Sequence, residues 1–270
     1  MLARAGGDAA GSVAAVSRLR ADPARIGDLI ERPEVYRAMF RSKDRDRLVF
    51  ATPFLAFSVL LAQTARELAE ARFVYEWAAP RRRVPVFDVA SLRGFVGKQA
   101  RRLFLAELLS SYTHVASGTV WARSSGRWRK HRFSELDPVE LAWLAEVVPE
   151  WERPAVCRRL GDLALFLTGV FPDHAGGWLG ARKVERISRA LAWGEGTPEP
   201  GRGDGALDLL EGLGRRAYEL AAEASEAPRT VPMVAVLAEL PARFTQARRV
   251  LNFLTDRHLF PLLDRWFPLA

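Results

Sequence analysis

Cysteine is almost absent from this sequence, because Cys157 is the single thiol among 270 residues. One cysteine excludes a disulfide framework within the chain, and it excludes zinc modules built from several cysteines. Lysine is also scarce, since only four of the 40 basic residues are lysines. This preference for arginine is typical of a GC-rich genome. It weakens the sequence pI of about 10.3 as an argument for nucleic-acid binding.

Long hydrophobic runs are missing as well. The longest, Phe54–Ala62 and Leu163–Phe171, fall short of the roughly 20 residues that a membrane-spanning helix needs. The first residues lack the charged flank and apolar core of a secretory signal. We therefore expect a cytoplasmic protein without a transmembrane segment.

The residues that are present favour a folded protein with an uneven charge. Hydrophobic residues make up 49% of the chain, which is enough to bury a core and excludes disorder of the whole chain. Residues 1–133 hold 24 basic and 12 acidic residues, a net charge of +12, whereas residues 134–270 hold 16 and 20, a net charge of −4. The two halves can pair with each other, or the basic half can face a polyanion or a membrane surface.

Apolar residues recur at helical spacing along most of the chain. The fold class that this predicts is all-α, an irregular bundle of eight to ten helices with one short β-hairpin near residues 119–133. Pro53 and the pair Asp137-Pro138 indicate helix starts. A single long helix is expected from Ser91 to about Ala116, and residues 84–89 are expected to form a loop or a short extended piece.

The domain organisation predicted from composition is a single domain. Residues 1–20 are expected to be a flexible N-terminus, and residues 21–193 a basic helical core that includes the hairpin. Residues 194–205, rich in Gly and Pro, are expected to be a flexible loop, a lid or a linker. Residues 206–270 are expected to form C-terminal helices that pack on the same core.

Asp162 is the most conspicuous candidate for a catalytic group. It lies in an otherwise apolar helix between Gly161 and Gly169, and such glycines commonly allow a helix or a ligand to approach closely. A buried carboxylate needs a partner, so an Asp–Arg pair between two helices is the favoured interpretation and a functional role is the alternative. Tyr112 and His114 are the conceivable acid–base groups of such a site.

The same region carries a resemblance. Residues 161–172 read Gly-Asp-x-x-Leu-Phe-x-x-Gly-x-Phe-Pro, and Tyr218 and the Arg249–Asn252 segment follow. This pattern resembles a set of uncharacterised bacterial helical proteins. The resemblance implies a helical protein of bacterial origin, and it implies no activity.

Basic and aromatic residues alternate in the predicted hairpin, and a second basic cluster precedes it. Such residues can grip phosphates and stack on bases, bind an acidic protein partner, or protect a strand edge from pairing. The candidate binding residues are Arg81, Arg82, Arg83, Trp121, Arg123, Arg127, Trp128, Arg129, Lys130 and Arg132.

Three functions are compatible with the sequence. The favoured hypothesis is a non-catalytic interaction or regulatory protein that binds a protein partner or a small anionic effector through its basic surface. The alternatives are a sequence-tolerant nucleic-acid-binding protein that uses the hairpin, and a helical enzyme with a pocket around Asp162. No cofactor and no metal site are expected, because the four histidines lack the spacing of metal ligands.

Overall fold

The computed structural model describes residues 24–41, 51–79, 82–114, 117–124, 127–172, 187, 205–225 and 230–267. The fold is an all-α bundle, which confirms the predicted class and the range of eight to ten helices. Its helices are α1 Ala24–Ile30, α2 Pro33–Tyr36, α3 Pro53–Glu70, α4 Val89–Val96, α5 Gln99–Ser111, α6 Pro138–Val147, α7 Arg153–Val170, α8 Gly205–Glu223, α9 Pro232–Leu254 and α10 Leu263–Trp266. The strands in these ranges are β1 Val74–Ala79, β2 Arg82–Val86, β3 Ser117–Ser124 and β4 Arg127–Ser134.

Local capping explains two of the helix starts. Asp137 Oδ1 accepts a hydrogen bond from the Val139 backbone N–H at 2.8 Å, with Pro138 at the first helical position. Thr52 caps α3 in the same way, and Pro53 follows it. Proline costs nothing at this position, because its missing N–H would be unpaired in any case. Both starts agree with the sequence prediction.

The single long helix expected from Ser91 to about Ala116 is wrong. Two helices, α4 and α5, take its place, and the chain turns between them at Gly97 and Lys98. The guanidinium group of Arg101 donates to the Gly94 carbonyl oxygen at 3.0 Å, and Arg102 donates to the carbonyl oxygen of Val96. These carbonyls have no partner within a helix that ends there, so the two arginines stabilise the break.

Two antiparallel hairpins accompany the helices. The predicted hairpin near residues 119–133 is confirmed as β3 and β4, which pair from Ser117↔Ser134 to Ser124↔Arg127. The second, β1–β2, pairs from Val74↔Val86 to Trp77↔Arg83 and was not predicted, because the loop or short extended piece expected for residues 84–89 overlaps β2 only. Pro85 fits in β2 because a two-stranded ribbon consists of edge strands, where a missing N–H is tolerated.

Helix α7 is the centre of the core, and every residue from Leu160 to Val170 is buried. A Cβ atom on Gly161 would lie 2.7 Å from Cδ1 of Tyr218 in α8. A Cβ atom on Gly169 would lie 2.7 Å from Cβ of Leu251 in α9. The two glycines therefore allow α8 and α9 to pack directly on the α7 backbone, as the sequence indicated for a neighbouring helix.

A buried ion network joins the β1–β2 ribbon to α8 and α9. Arg249 donates to Glu76 of β1 at 2.7 Å, and Arg248 contacts both Glu76 and Glu211, the latter at 2.9 Å. The side chains of Arg248, Glu76 and Glu211 are each at most 15% exposed. One face of the ribbon is thus fixed to the helical core.

The remaining organisational predictions fall largely outside the described residues. These include residues 1–20 and residues 194–204, whereas Gly205 begins α8. Helices α8 and α9 pack against α7. In the part of the chain that the structure describes, no helix combines the length and the apolar character needed to cross a membrane.

Candidate functional site

A cavity of about 550 Å³ opens beside α2 and α3. Among the described residues, those that line it are Pro33, Tyr36, Arg37, Arg41 and Gln63. An apolar ring, two guanidinium groups and an amide are thus brought to one concave surface. Ligand sites combine an apolar wall with a few polar groups in the same way, and this volume is within their usual range.

Two π-helical turns meet at Tyr36, one of the residues that line this cavity. The first, Arg37–Arg41, directly follows Tyr36, and the second, Thr255–Leu259, contains His258. A π-helical turn re-aims the side chains that a regular helix would direct elsewhere, and such turns occur frequently at functional sites. Here they bring the end of α2 and the end of α9 into contact.

Tyr36, His258 and Glu67 form a chain of polar groups that begins at Tyr36 in the cavity wall and continues to His258 and Glu67. The Tyr36 hydroxyl oxygen lies 3.4 Å from His258 Nδ1, and the two rings meet edge to face. His258 Nε2 lies 3.3 Å from Glu67 Oε2, a close contact without the alignment of a full hydrogen bond. Tyr36 and His258 are buried. This order of hydroxyl, imidazole and carboxylate is the one used in general acid–base chemistry.

The surroundings of His258 favour its neutral form. Burial lowers the pKa of His258 below its usual value of 6.5, and the nearby cations Arg41 and Arg257 lower it further. The carboxylate of Glu67 acts in the opposite direction but does not cancel the effect of burial. When the proton of neutral His258 is on Nε2, Nδ1 accepts a hydrogen bond from the Tyr36 hydroxyl and the N–H is directed toward Glu67.

Gln63 connects the cavity wall to this chain. Its Nε2 donates to Glu67 Oε1 at 2.8 Å, and its Oε1 accepts from the Arg66 guanidinium at 2.8 Å. Glu67 is therefore oriented by Gln63 on one oxygen and faces His258 with the other. Sequence reasoning missed Tyr36, Arg41, Gln63 and His258, because they lie far apart in the chain and none has a local motif.

Asp162, the leading catalytic candidate, is buried between α7 and α8. Its Oδ1 accepts a hydrogen bond from the Tyr218 hydroxyl at 2.7 Å, and its Oδ2 lies 3.8 Å from Arg158 Nε. Burial raises the pKa of Asp162 to about 6, although Arg158 and Tyr218 favour the carboxylate. Tyr218 thus joins the two helices at Asp162, whereas Arg158 belongs to the same helix.

Tyr112 and His114 lie in different environments. The Tyr112 ring stacks on Phe166 at 4.2 Å between centroids, and the Arg159 guanidinium covers it at 4.0 Å. Burial raises the pKa of Tyr112 well above 10. His114 is exposed, and its Nδ1 lies 3.0 Å from the Thr113 hydroxyl oxygen. Tyr112 therefore belongs to the core with Asp162, and His114 belongs to the surface.

The candidate binding residues lie on the two hairpins, with little of their side-chain structure described. Arg81 is outside the described residues, Arg82 begins β2, and Arg83 forms an ion pair with Asp256. Lys130 and Arg132 are exposed on β4. The backbone alone is described for Trp121, Arg123, Arg127, Trp128 and Arg129. Partner binding by the β3–β4 hairpin stays a prediction.

The histidine, acidic and cysteine side chains bear on metal binding and on thiol reactivity. Within the described ranges, no group of three or more His, Cys, Asp or Glu residues is arranged to hold a metal ion. Cys157 is buried, and burial raises the pKa of its thiol, which is the environment of a structural cysteine.

Comparison with known proteins gives no match to a family model, to a curated protein or to a solved structure. Function is therefore inferred from the side chains of this chain. Among the groups described above, the cavity at Tyr36 is the one that combines open space, positive charge and an acid–base group.

Proposed function

We propose that this protein binds a small anionic ligand, one that carries a phosphate or carboxylate group, in the cavity lined by Tyr36, Arg37 and Arg41. The observation that carries the proposal is the convergence of two arginines on a tyrosine whose hydroxyl contacts a buried histidine. This function is the small-effector form of the hypothesis favoured by the sequence. It places the binding residues at α2 instead of on the hairpins.

The arginines supply recognition of the anion. Arg41 lies with its guanidinium carbon 6.0 Å from the centre of the Tyr36 ring, and Arg37 is held at 2.9 Å by Glu34 on the surface. Guanidinium groups bind carboxylate and phosphate oxygens through pairs of hydrogen bonds. Because both arginines are on one π-helical turn, a single anion can contact both.

Tyr36 adds a requirement on the neutral part of the ligand. When its hydroxyl donates a hydrogen bond to His258 Nδ1, the phenolic oxygen keeps lone pairs that can accept from a donor on the ligand. The ligand expected here therefore has an O–H or N–H group close to its anionic group. Hydroxy acids and hydrogen phosphate meet this requirement, whereas a simple halide does not.

Isothermal titration calorimetry with inorganic phosphate and with citrate, at constant ionic strength, tests the proposal. We expect saturable binding of at least one of these anions by the wild-type protein. Replacing Arg41 with Gln should weaken it by about 10-fold or more, since hydrogen bonds to charged groups contribute roughly 1.5–3 kcal/mol. Tyr36→Phe keeps the ring and removes the hydroxyl, so it should weaken binding of these donor-bearing anions.

The matched control is Arg243→Gln, which removes one partly exposed arginine from α9. It should leave the affinity unchanged. An equal loss of affinity in Arg243→Gln and Arg41→Gln would show that net charge alone attracts the anion. That result, or a lack of saturable binding to either anion, would contradict the proposal.

A further inference from the structure

The β1–β2 ribbon carries aromatic side chains on the face that points away from the core. Side chains alternate along a strand, so Phe73 and Tyr75 are on one face, and Val74 and Glu76 are on the other. Trp77, next to an irregularity in the strand pairing, is half-buried and packs against the core. Val74 is buried, and Glu76 is held by Arg248 and Arg249. The inner face is therefore fixed, and Phe73 and Tyr75 are on the outer face.

Phe73 and Tyr75 are exposed, and so is Phe87, which directly follows β2; the Phe73 ring contacts the other two. Phe87 is 75% exposed, Tyr75 51% and Phe73 42%. The Phe73 ring lies 5.4 Å from the Tyr75 ring and 6.0 Å from the Phe87 ring, measured between centroids. Exposed aromatic residues that are grouped in this way typically mark an interaction surface, whereas scattered ones need no explanation.

Positive charge borders the aromatic group. The Arg83 guanidinium lies 4.1 Å from the centre of the Trp77 ring, and Arg83 also pairs with Asp256 at 2.9 Å. Arg72, next to Phe73, is exposed. Two acidic residues border the same surface and both have partners: Asp256 pairs with Arg83, and the exposed Asp88, which follows Phe87, accepts a hydrogen bond from the Ser91 backbone N–H. Arg72 and Arg83 thus place positive charge beside the exposed aromatic rings.

We infer that the outer face of the β1–β2 ribbon binds single-stranded nucleic acid, with bases stacked on Phe73, Tyr75 and Phe87 and the phosphate backbone near Arg72 and Arg83. Stacking on aromatic rings beside a basic track is how sequence-tolerant proteins hold single strands. The net charge of +8 attracts the same partner. This surface is separate from the cavity at Tyr36, and the inference does not depend on anion binding there.

The face is fixed in advance of binding, which favours this occupant. The two strands are short and paired to each other, and the Glu76 network holds them against α9. A partner then meets rings that are already arranged, so little conformational entropy is lost when the bases stack. A membrane or an apolar protein surface is the competing occupant for exposed aromatic rings, and the experiment distinguishes them.

Fluorescence anisotropy with a labelled oligothymidylate of about 12 nucleotides, near the size of known single-strand sites, measures the interaction. We expect binding that weakens steeply with salt, as release of counterions requires. Tyr75→Ala and Phe87→Ala should each weaken it by about 5-fold to 100-fold, the range found for loss of one stacked base. Tyr75→Phe keeps the ring and should retain the affinity.

Controls distinguish base stacking from charge attraction and from nonspecific binding by exposed aromatic residues. Trp151→Ala removes another exposed aromatic ring, 77% exposed and outside the ribbon, and should leave binding unchanged. A duplex of mixed sequence should bind more weakly than the single strand, because its bases are already stacked. Circular dichroism of each variant should match the wild type, since the replaced side chains are exposed.

Several outcomes would overturn the inference. One is a lack of binding to the single strand at low salt, and another is affinity that stays the same in Tyr75→Ala and Phe87→Ala. Equal affinity for duplex and single strand would show that the interaction depends on charge alone and not on base stacking. Binding to vesicles of anionic phospholipid that is lost in the same two variants, without oligonucleotide binding, would assign the face to a membrane surface.

Discussion

The hydroxyl group of Tyr36 lies 3.4 Å from Nδ1 of His258, although 222 residues separate them in the chain. Glu67 completes the arrangement from the last turn of α3. The end of the chain is held to α3 by aromatic stacking as well, because Phe267 lies 5.8 Å from Phe57 with nearly parallel rings. The candidate site is thus assembled where the last residues of the described chain pack against its first helices.

His258 should make stability depend on pH just below neutrality. The folded state holds His258 neutral, with its pKa lowered by burial, whereas in the unfolded chain it titrates near 6.5. As the pH falls below about 6.5, the unfolded state binds a proton that the folded state does not, so the stability contributed by neutral His258 is lost. Urea unfolding at pH 7.5 and pH 6 should show this loss in the wild type and a smaller one in His258→Gln.

The control for this prediction is His114→Gln, because His114 is exposed. Its pH dependence should match that of the wild type. If His258→Gln and His114→Gln both follow the wild-type curve, the buried imidazole does not set the pH response.

Asp162 should make folding stability depend on pH in the opposite direction to His258, and at a lower pH. Its pKa is raised from 3.8 to about 6 in the folded state, chiefly by burial. Between these values the folded state binds more protons than the unfolded state, so this group makes stability decrease as the pH rises from about 4 to 6. The whole change is on the order of 3 kcal/mol. Asp162→Asn keeps an acceptor for Tyr218 and should remove this part of the slope.

Free energies of unfolding measured between pH 4 and pH 7 check the prediction for Asp162. Asp208→Asn is the matched control, since Asp208 is exposed on α8. Should Asp162→Asn keep the wild-type slope, Asp162 does not titrate near 6 in the folded protein. A functional role for Asp162 would then be worth testing again.

Gly161→Ala should destabilise the protein even though alanine is the better helix former. The new methyl group would lie 2.7 Å from the Tyr218 ring, which is held by its hydrogen bond to Asp162. Overpacking of this kind costs about 1–3 kcal/mol. Gly94→Ala in α4 is the control, because a Cβ atom there meets nothing within 4 Å.

Gly94→Ala should be neutral or stabilising by up to about 1 kcal/mol, the difference in helix propensity between the two residues. Thermal or urea unfolding of the two variants side by side is the measurement. Equal effects of Gly161→Ala and Gly94→Ala would mean that α7 and α8 are not in close contact at Tyr218.

Glu76→Gln should loosen the ribbon from the core. The substitution leaves Arg248 and Arg249 with less negative charge at a buried site, and breaking a buried ion pair costs about 3 kcal/mol or more. Glu34→Gln removes an exposed partner of Arg37 and should cause no measurable loss. Urea unfolding compares them, and equal stabilities of the two variants would contradict a structural role for the Glu76 network.

The sequence predicted those elements whose formation depends on interactions between residues that are close together in the chain. At the start of α6, the Asp137 side chain accepts a hydrogen bond from one backbone N–H, and Pro138 has no N–H that needs a partner. Neither effect depends on the rest of the chain. The alternation of Val120, Trp121 and Trp128 with polar residues predicted the β3–β4 hairpin in the same way. The helix from Ser91 was predicted too long, since its break is stabilised by the side chains of Arg101 and Arg102.

The sequence by itself determined a helical protein with an apolar α7 whose glycines admit neighbouring helices, because periodicity and residue size act within a few turns of chain. Only the tertiary structure decided which distant polar groups meet. Tyr36, Glu67 and His258 carry no shared motif. The outer face of β1–β2 is identified by the ion pair that places Glu76, on the opposite face, against Arg248 of α9. Such contacts depend on how helices pack, and packing is a property of the whole chain.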